Sequence, residues 1–186
     1  MLYLLLPQDD LYPVIELVTP IDNLFWATGE RFRLNVERLD FEFDPEGLMT
    51  WADYIRPAPN IPLVSDKLRE TWSAVGVDNI DYYTARVMNR STGETRPYHA
   101  ANVIGLLPAV DRAQSAFQPL DDHDFLIEDF ERLVVDEKRV QGQLAFRLAE
   151  HSAVLLVDQR LKDISEREGL TGLQFVRPED WDGFAT

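Results

Sequence analysis

Carboxylates are the residues here whose types and spacing could do chemistry. Asp40, Glu42 and Asp44 alternate with Leu39, Phe41 and Phe43, so a strand would set three acids on one face. Three carboxylates so placed could suit a hard cation such as Mg²⁺ or Ca²⁺. The calcium-loop pattern fails, however. Counted from Asp40, the sixth position is Pro45 where that loop needs Gly, and the twelfth is Trp51 where it needs Glu. The simpler reading is a solvated strand face, and the functional one is an edge surface for a basic partner. A second run, Asp121, Asp122, Asp124, Glu128, Asp129 and Glu131, places six acids within eleven residues that hold no Lys or Arg. It reads either as a solvated loop entering a strand or as a partner-binding patch. Phe125, Leu126, Ile127 and Phe130 would supply an apolar centre to the latter, or else belong to the core. Trp51 and Trp181 have acidic neighbours and are candidate interface anchors, whereas Trp72 lies on a helical stripe and belongs to the core.

Other chemistries find no support. His99, His123 and His151 lack a partner at i+3 or i+4, and no phosphate-binding glycine loop or Gly-x-Ser-x-Gly elbow occurs. Cysteine is absent, which removes disulfides, thiolate metal sites and thiol catalysis. No catalytic residue, metal site or cofactor is expected.

The elements that must position these acids are short. Leu2–Leu6 is a five-residue apolar run that meets Pro7 and reads as a first strand, not a signal peptide. Arg38–Asp44 is a half-buried strand closed by a turn at Pro45–Gly47. Arg56–Pro62 holds three prolines and is the best linker. It would divide the chain into an N-terminal strand-and-loop lobe over residues 1–60, separate or part of the same domain, and a main body over 61–186. Ser65 should cap a helix bearing Leu68, Trp72 and Val75, with Gly76 ending it. Ile80–Met88 and Arg96–Val103 should form a hairpin around Asn89–Gly93, and Leu133–Val135 with Leu144–Leu148 a second one around Gly142. Val154, Val157, Leu161 and Ile164 predict a helix over Ala153–Glu168, followed by a strand at Leu173–Val176. The expected fold is α+β: a mixed, mostly antiparallel sheet with two principal helices packed on it.

The charge is unevenly spread. Net charge is −15 over 186 residues, with 11 acidic against four basic side chains in residues 1–64, six against six in 65–120, and 16 against eight in 121–186. Such a chain repels nucleic-acid phosphates and anionic lipid and favours a basic partner. No apolar stretch approaches the roughly 18 residues of a membrane span, and a cytoplasmic protein is expected.

One further pattern lies in the order of landmarks. Leu63-Val64-Ser65 precedes Tyr98, Asn102 and Val103, then Asp111 and Ser115, then Phe146-Arg147-Leu148-Ala149-Glu150, and last Gly169-Leu170-Thr171-Gly172-Leu173-Gln174-Phe175. Over residues 61–177 this resembles the bacterial immunity proteins of polymorphic toxin systems, in particular the family typified by a myxobacterial immunity protein and formerly a domain of unknown function. The resemblance implies binding without catalysis: docking on a cognate protein toxin in the cytoplasm and blocking it. The net charge adds the expectation that this toxin is basic, a nuclease being one such protein. The alternatives are a carboxylate-based, metal-dependent hydrolase using both acidic runs, and a non-inhibitory adaptor that binds a basic protein. Oligomeric state is not legible.

Overall fold

The computed structural model describes residues 1–8, 15–21, 26–44, 51–56, 61–181 and 183. The turn expected at Pro45–Gly47 and the Pro57–Asn60 part of the linker lie outside the described residues.

The opening apolar run becomes β1 (Leu2–Pro7), the second strand of a five-stranded sheet ordered β13-β1-β12-β11-β8. Its companions are β8 (Leu106–Leu107), β11 (Ala145–Leu148), β12 (Leu155–Asp158) and β13 (Leu173–Val176). Burial on both faces explains why β1 shows no polar alternation. Tyr3 and Leu5 join one core cluster, and Leu2, Leu4 and Leu6 join the cluster on the other side.

A six-stranded sheet, ordered β2-β3-β6-β7-β5-β4, holds β2 (Ile15–Leu17), β3 (Leu39–Phe43), β4 (Tyr54–Ile55), β5 (Leu63–Val64), β6 (Ile80–Asn89) and β7 (Thr95–Val103). The hairpin expected around Asn89–Gly93 is present as β6 and β7, in antiparallel register from Ile80↔Val103 to Met88↔Thr95. The expected linker joins two strands that pair with each other, Tyr54↔Val64 and Ile55↔Leu63. Residues 1–60 thus supply β1 to one sheet and β2, β3 and β4 to the other. Among the described residues only β3 with β6 and β11 with β8 pair in parallel. The fold is α+β, mixed and mostly antiparallel, with two α-helices among the described residues.

Both helices begin at a side-chain cap. In α1 (Asp66–Ala74) the Ser65 hydroxyl accepts from Leu68 N–H at 3.1 Å, and Leu68 and Trp72 are buried. Val75, expected on that stripe, is instead the exposed C-cap, and Val77 beyond Gly76 turns inward. The expected helix over Ala153–Glu168 is half strand: β12 runs to Asp158, whose carboxylate caps α2 (Gln159–Arg167). The reason is burial, since Val154 to Val157 lie between β1 and β11 with both faces covered. Gly169, at φ +61°, ends α2 by placing Leu170 N–H 2.9 Å from Ser165 O.

The second expected hairpin does not form. β11 pairs with β12 and β8, and Leu133–Val135 contributes only a bridge between Val135 and Val110. Asp136 caps a 3₁₀ turn at Glu137–Arg139 that takes the chain away before it could fold back. One core cluster joins a face of each large sheet to both helices. A second covers the other face of the five-stranded sheet, and a third lies under the outer face of the six-stranded sheet.

Candidate partner-binding surface

The longer acidic run sits on a separate two-stranded ribbon, β9 (Ala116–Pro119) and β10 (Ile127–Arg132). Two register shifts, one between Ile127 and Asp129 and one between Phe130 and Arg132, mark bulges in β10. They twist the ribbon and let Ile127 and Phe130 both point inward. Those two residues fasten it: they are 3% and 1% exposed, and the Phe130 ring meets Trp181 at 5.9 Å and His151 at 5.9 Å. Ile127 N–H also donates to Glu150 O at 2.8 Å.

The tip is held by one arginine. Arg112 donates to the carbonyls of Asp124 and Phe125, each at 3.0 Å, and its guanidinium lies 4.6 Å from the centre of the Phe117 ring. These bonds go to backbone oxygens, so Arg112 orders the loop without neutralising any side chain directly. Asp121, Asp122, Asp124, Glu128, Asp129 and Glu131 are all exposed, and among the described residues none is ion-paired. Phe125 stands among them 49% exposed. The four apolar residues of this stretch therefore divide: Ile127 and Phe130 are core, Leu126 is half-buried, and Phe125 faces solvent.

The shorter run behaves differently. Asp40 and Glu42 share a face of β3 and Asp44 follows directly after its end, but arginines fill that side. Arg38 and Arg86 each reach Asp40 at 2.9 Å. Arg90 reaches Glu42 at 2.9 Å, Glu16 at 3.1 Å and Asp44 at 3.2 Å. The Arg38 hydrogen bond, with Arg86 acting against burial, holds the Asp40 carboxyl below its ordinary value. Glu42, Glu16 and Asp44 together push the Arg90 guanidinium further up. Four carboxylates meet three guanidiniums, and the face fastens β2 and β3 to the β6–β7 hairpin with little charge left over.

The two tryptophans also separate. Trp51 is half-buried, edge-on to Phe43 at 5.6 Å, with the Arg96 guanidinium 4.9 Å from its ring centre. Trp181 is 4% exposed and belongs to the core beneath the ribbon. Among the described residues no three His, Asp or Glu side chains are placed to hold a metal ion. His99 is engaged by Asp66 at 2.7 Å and His151 by Ile127 O at 2.9 Å.

Two buried polar residues of the Phe146–Glu150 landmark have local tasks. Arg147, 3% exposed, donates to Ser152 O at 2.9 Å and so closes the β11–β12 turn, while burial pulls its guanidinium down to about 10. The Glu150 carboxylate accepts from Val110 N–H at 3.2 Å. Arg112 and the isolated exposure of Phe125 escaped the sequence reading. A lone arginine ahead of a loop gives no sign that it will cap that loop's carbonyls.

Fold and surface together define an acidic α+β protein in which, among the described residues, one ribbon carries six exposed carboxylates without an ion pair. A family model describing the immunity protein family Imm11 matches residues 8–180, and the chain belongs to that family. The match begins well before residue 61, so most of the N-terminal sixty residues are part of the family's common chain. Among curated proteins none matches. No helix among the described residues is long and apolar enough to cross a membrane.

Proposed function

We propose that this chain neutralises a cognate toxin in the cytoplasm of the cell that makes it, by docking the acidic β9–β10 ribbon onto a basic toxin, a nuclease being the favoured kind. The observation that supports this most is the ribbon's six exposed, unpaired carboxylates around one exposed phenylalanine, on a chain of an immunity family. Such a surface has two separable uses. Its charge steers a basic partner, raising association to about 10⁸–10⁹ M⁻¹s⁻¹ at low salt. Phe125 then supplies a desolvated anchor that slows dissociation. Inhibition by binding asks for no catalytic group on this chain.

The test is growth of a host co-expressing this protein with the product of its neighbouring gene, against a strain expressing that product alone. Rescue is expected. A neighbour that is toxic and stays toxic in the presence of folded protein overturns the pairing. A neighbour that is harmless alone yet forms a complex with the chain favours the adaptor alternative.

A further inference from the structure

The parity of the β1–β13 ladder decides which backbone groups at the edge of the five-stranded sheet are free. Gln8 N–H donates to Gly172 O at 3.1 Å, and the register pairs Leu6 with Gln174 and Leu4 with Val176. Because bonded and non-bonded pairs alternate in an antiparallel ladder, Gln174 and Val176 bond to β1. Leu173 and Phe175 must then turn their N–H and C=O groups away from it. The other side of β1 agrees: Gln159 N–H donates to Met1 O at 2.9 Å, which assigns the odd-numbered residues of β1 to β12.

At Thr171 the outer edge is already closed. Its N–H donates to Asp53 Oδ2 at 2.9 Å, and its C=O accepts from Tyr54 N–H at 3.1 Å. The next two outward residues, Leu173 and Phe175, have no such bond among the described residues. They leave two donors and two acceptors in line.

Sheet edges left in that state invite pairing, and proteins blunt them with charge, proline, bulges or brevity. The other edges here are blunted. β4 and β8 have two residues each, with Pro108 directly after β8. β2 bears Glu16 in the Arg90 cluster, β9 ends in Pro119, and β10 is bulged and charged. β13 is Leu-Gln-Phe-Val: no charge, proline or bulge lies within the strand, and Arg177 and Pro178 follow it only after Val176.

We propose that β13 receives an extended basic segment of the bound toxin, which adds to the sheet as a sixth strand. This deepens the immunity reading and rests on it. Charge selects the occupant. Two copies at −15 each repel, so self-pairing is opposed, whereas a segment carrying Lys and Arg is complementary. Side chains set its pattern. Leu173 and Phe175 are half-buried against the core between the large sheets, while Gln174 on the opposite side is exposed. The incoming segment should therefore alternate, apolar residues beside Leu173 and Phe175 and basic ones beside Gln174, with main-chain bonds giving affinity and the alternation giving specificity.

Amide hydrogen exchange, read residue by residue with and without the product of the neighbouring gene, tests this. The expected result is exchange slowed about tenfold or more at Leu173 and Phe175 on complex formation, with Gln174 and Val176 little changed because β1 already protects them. A complex in which Leu173 and Phe175 exchange as in the free protein overturns strand addition and leaves the immunity reading standing. Absence of any complex overturns both. Protection of the same two amides in the protein alone, rising with its concentration, identifies a second copy as the occupant and also overturns the proposal. Phe175→Pro removes one outward N–H and none of the β1 bonds, so it should speed dissociation about tenfold. Should that variant not fold, the exchange measurement on the unaltered chain decides.

Discussion

Trp72 and Ser165 join the two helices inside the core, the indole N–H donating to the hydroxyl at 3.0 Å with both residues buried. Removing the acceptor strands a donor where water does not reach. Ser165→Ala should therefore lower stability by about 1–3 kcal/mol, read from the urea midpoint, while Trp72→Phe in the same background should cost less than it does alone. An unchanged midpoint for Ser165→Ala would mean that another acceptor takes the indole. Residue types told less than residue partners throughout. The common face of Asp40 and Glu42 was legible, because alternation in one short strand fixes it. Their neutralisation was not. Arg86 and Arg90 reach them only because β3 lies parallel to β6, a pairing between segments 46 residues apart.

At the level of elements, the boundary between β12 and α2 shows what periodicity leaves open. Val154, Val157, Leu161 and Ile164 fit one helix by spacing, yet the run Val154–Val157 is four consecutive apolar residues and fits a doubly buried strand equally well. Tertiary burial chose the strand, and Asp158 marks the change. Its carboxylate accepts from Arg160 N–H at 3.0 Å and from the Arg160 side chain. Burial alone would raise this carboxyl, but the Arg160 bonds and charge outweigh it and hold the group below 3.8. A carboxyl lowered in the folded state adds stability above its unfolded value and loses it as pH falls through the folded one. Asp158→Ala should thus cost about 1 kcal/mol at neutral pH, a difference that closes in acid well below 3.8. A gap that persists when the carboxyl is protonated would show that the side chain acts by packing instead. The Ser65 cap and the β6–β7 hairpin were legible for the opposite reason, each being set by neighbours in sequence. The absent hairpin of Leu133–Val135 was not, since β11 took its partners from β12 and β8.

For the whole molecule, the neutral middle third is neutral only by count. Arg86 and Arg90 belong to it, but both are spent on Glu16, Asp40, Glu42 and Asp44 of the N-terminal third. The acids of the β9–β10 ribbon receive no such help, so two clusters that look alike in sequence differ as sources of field. This separates local from net charge in one experiment. Asp121→Asn, Asp122→Asn and Asp124→Asn together remove three unpaired charges, whereas Asp40→Asn, Glu42→Gln and Asp44→Asn remove three paired ones; both chains end at the same net charge. With a basic toxin, stopped-flow association at low ionic strength should slow about tenfold for the ribbon triple and its salt dependence should flatten. The β3 triple should associate nearly as the unaltered protein does. It should instead melt at lower temperature, because Arg38, Arg86 and Arg90 lose acceptors and are left close together. Equal slopes of rate against salt for the two triples would mean that net charge alone steers the encounter, and the ribbon would lose its place as the docking surface.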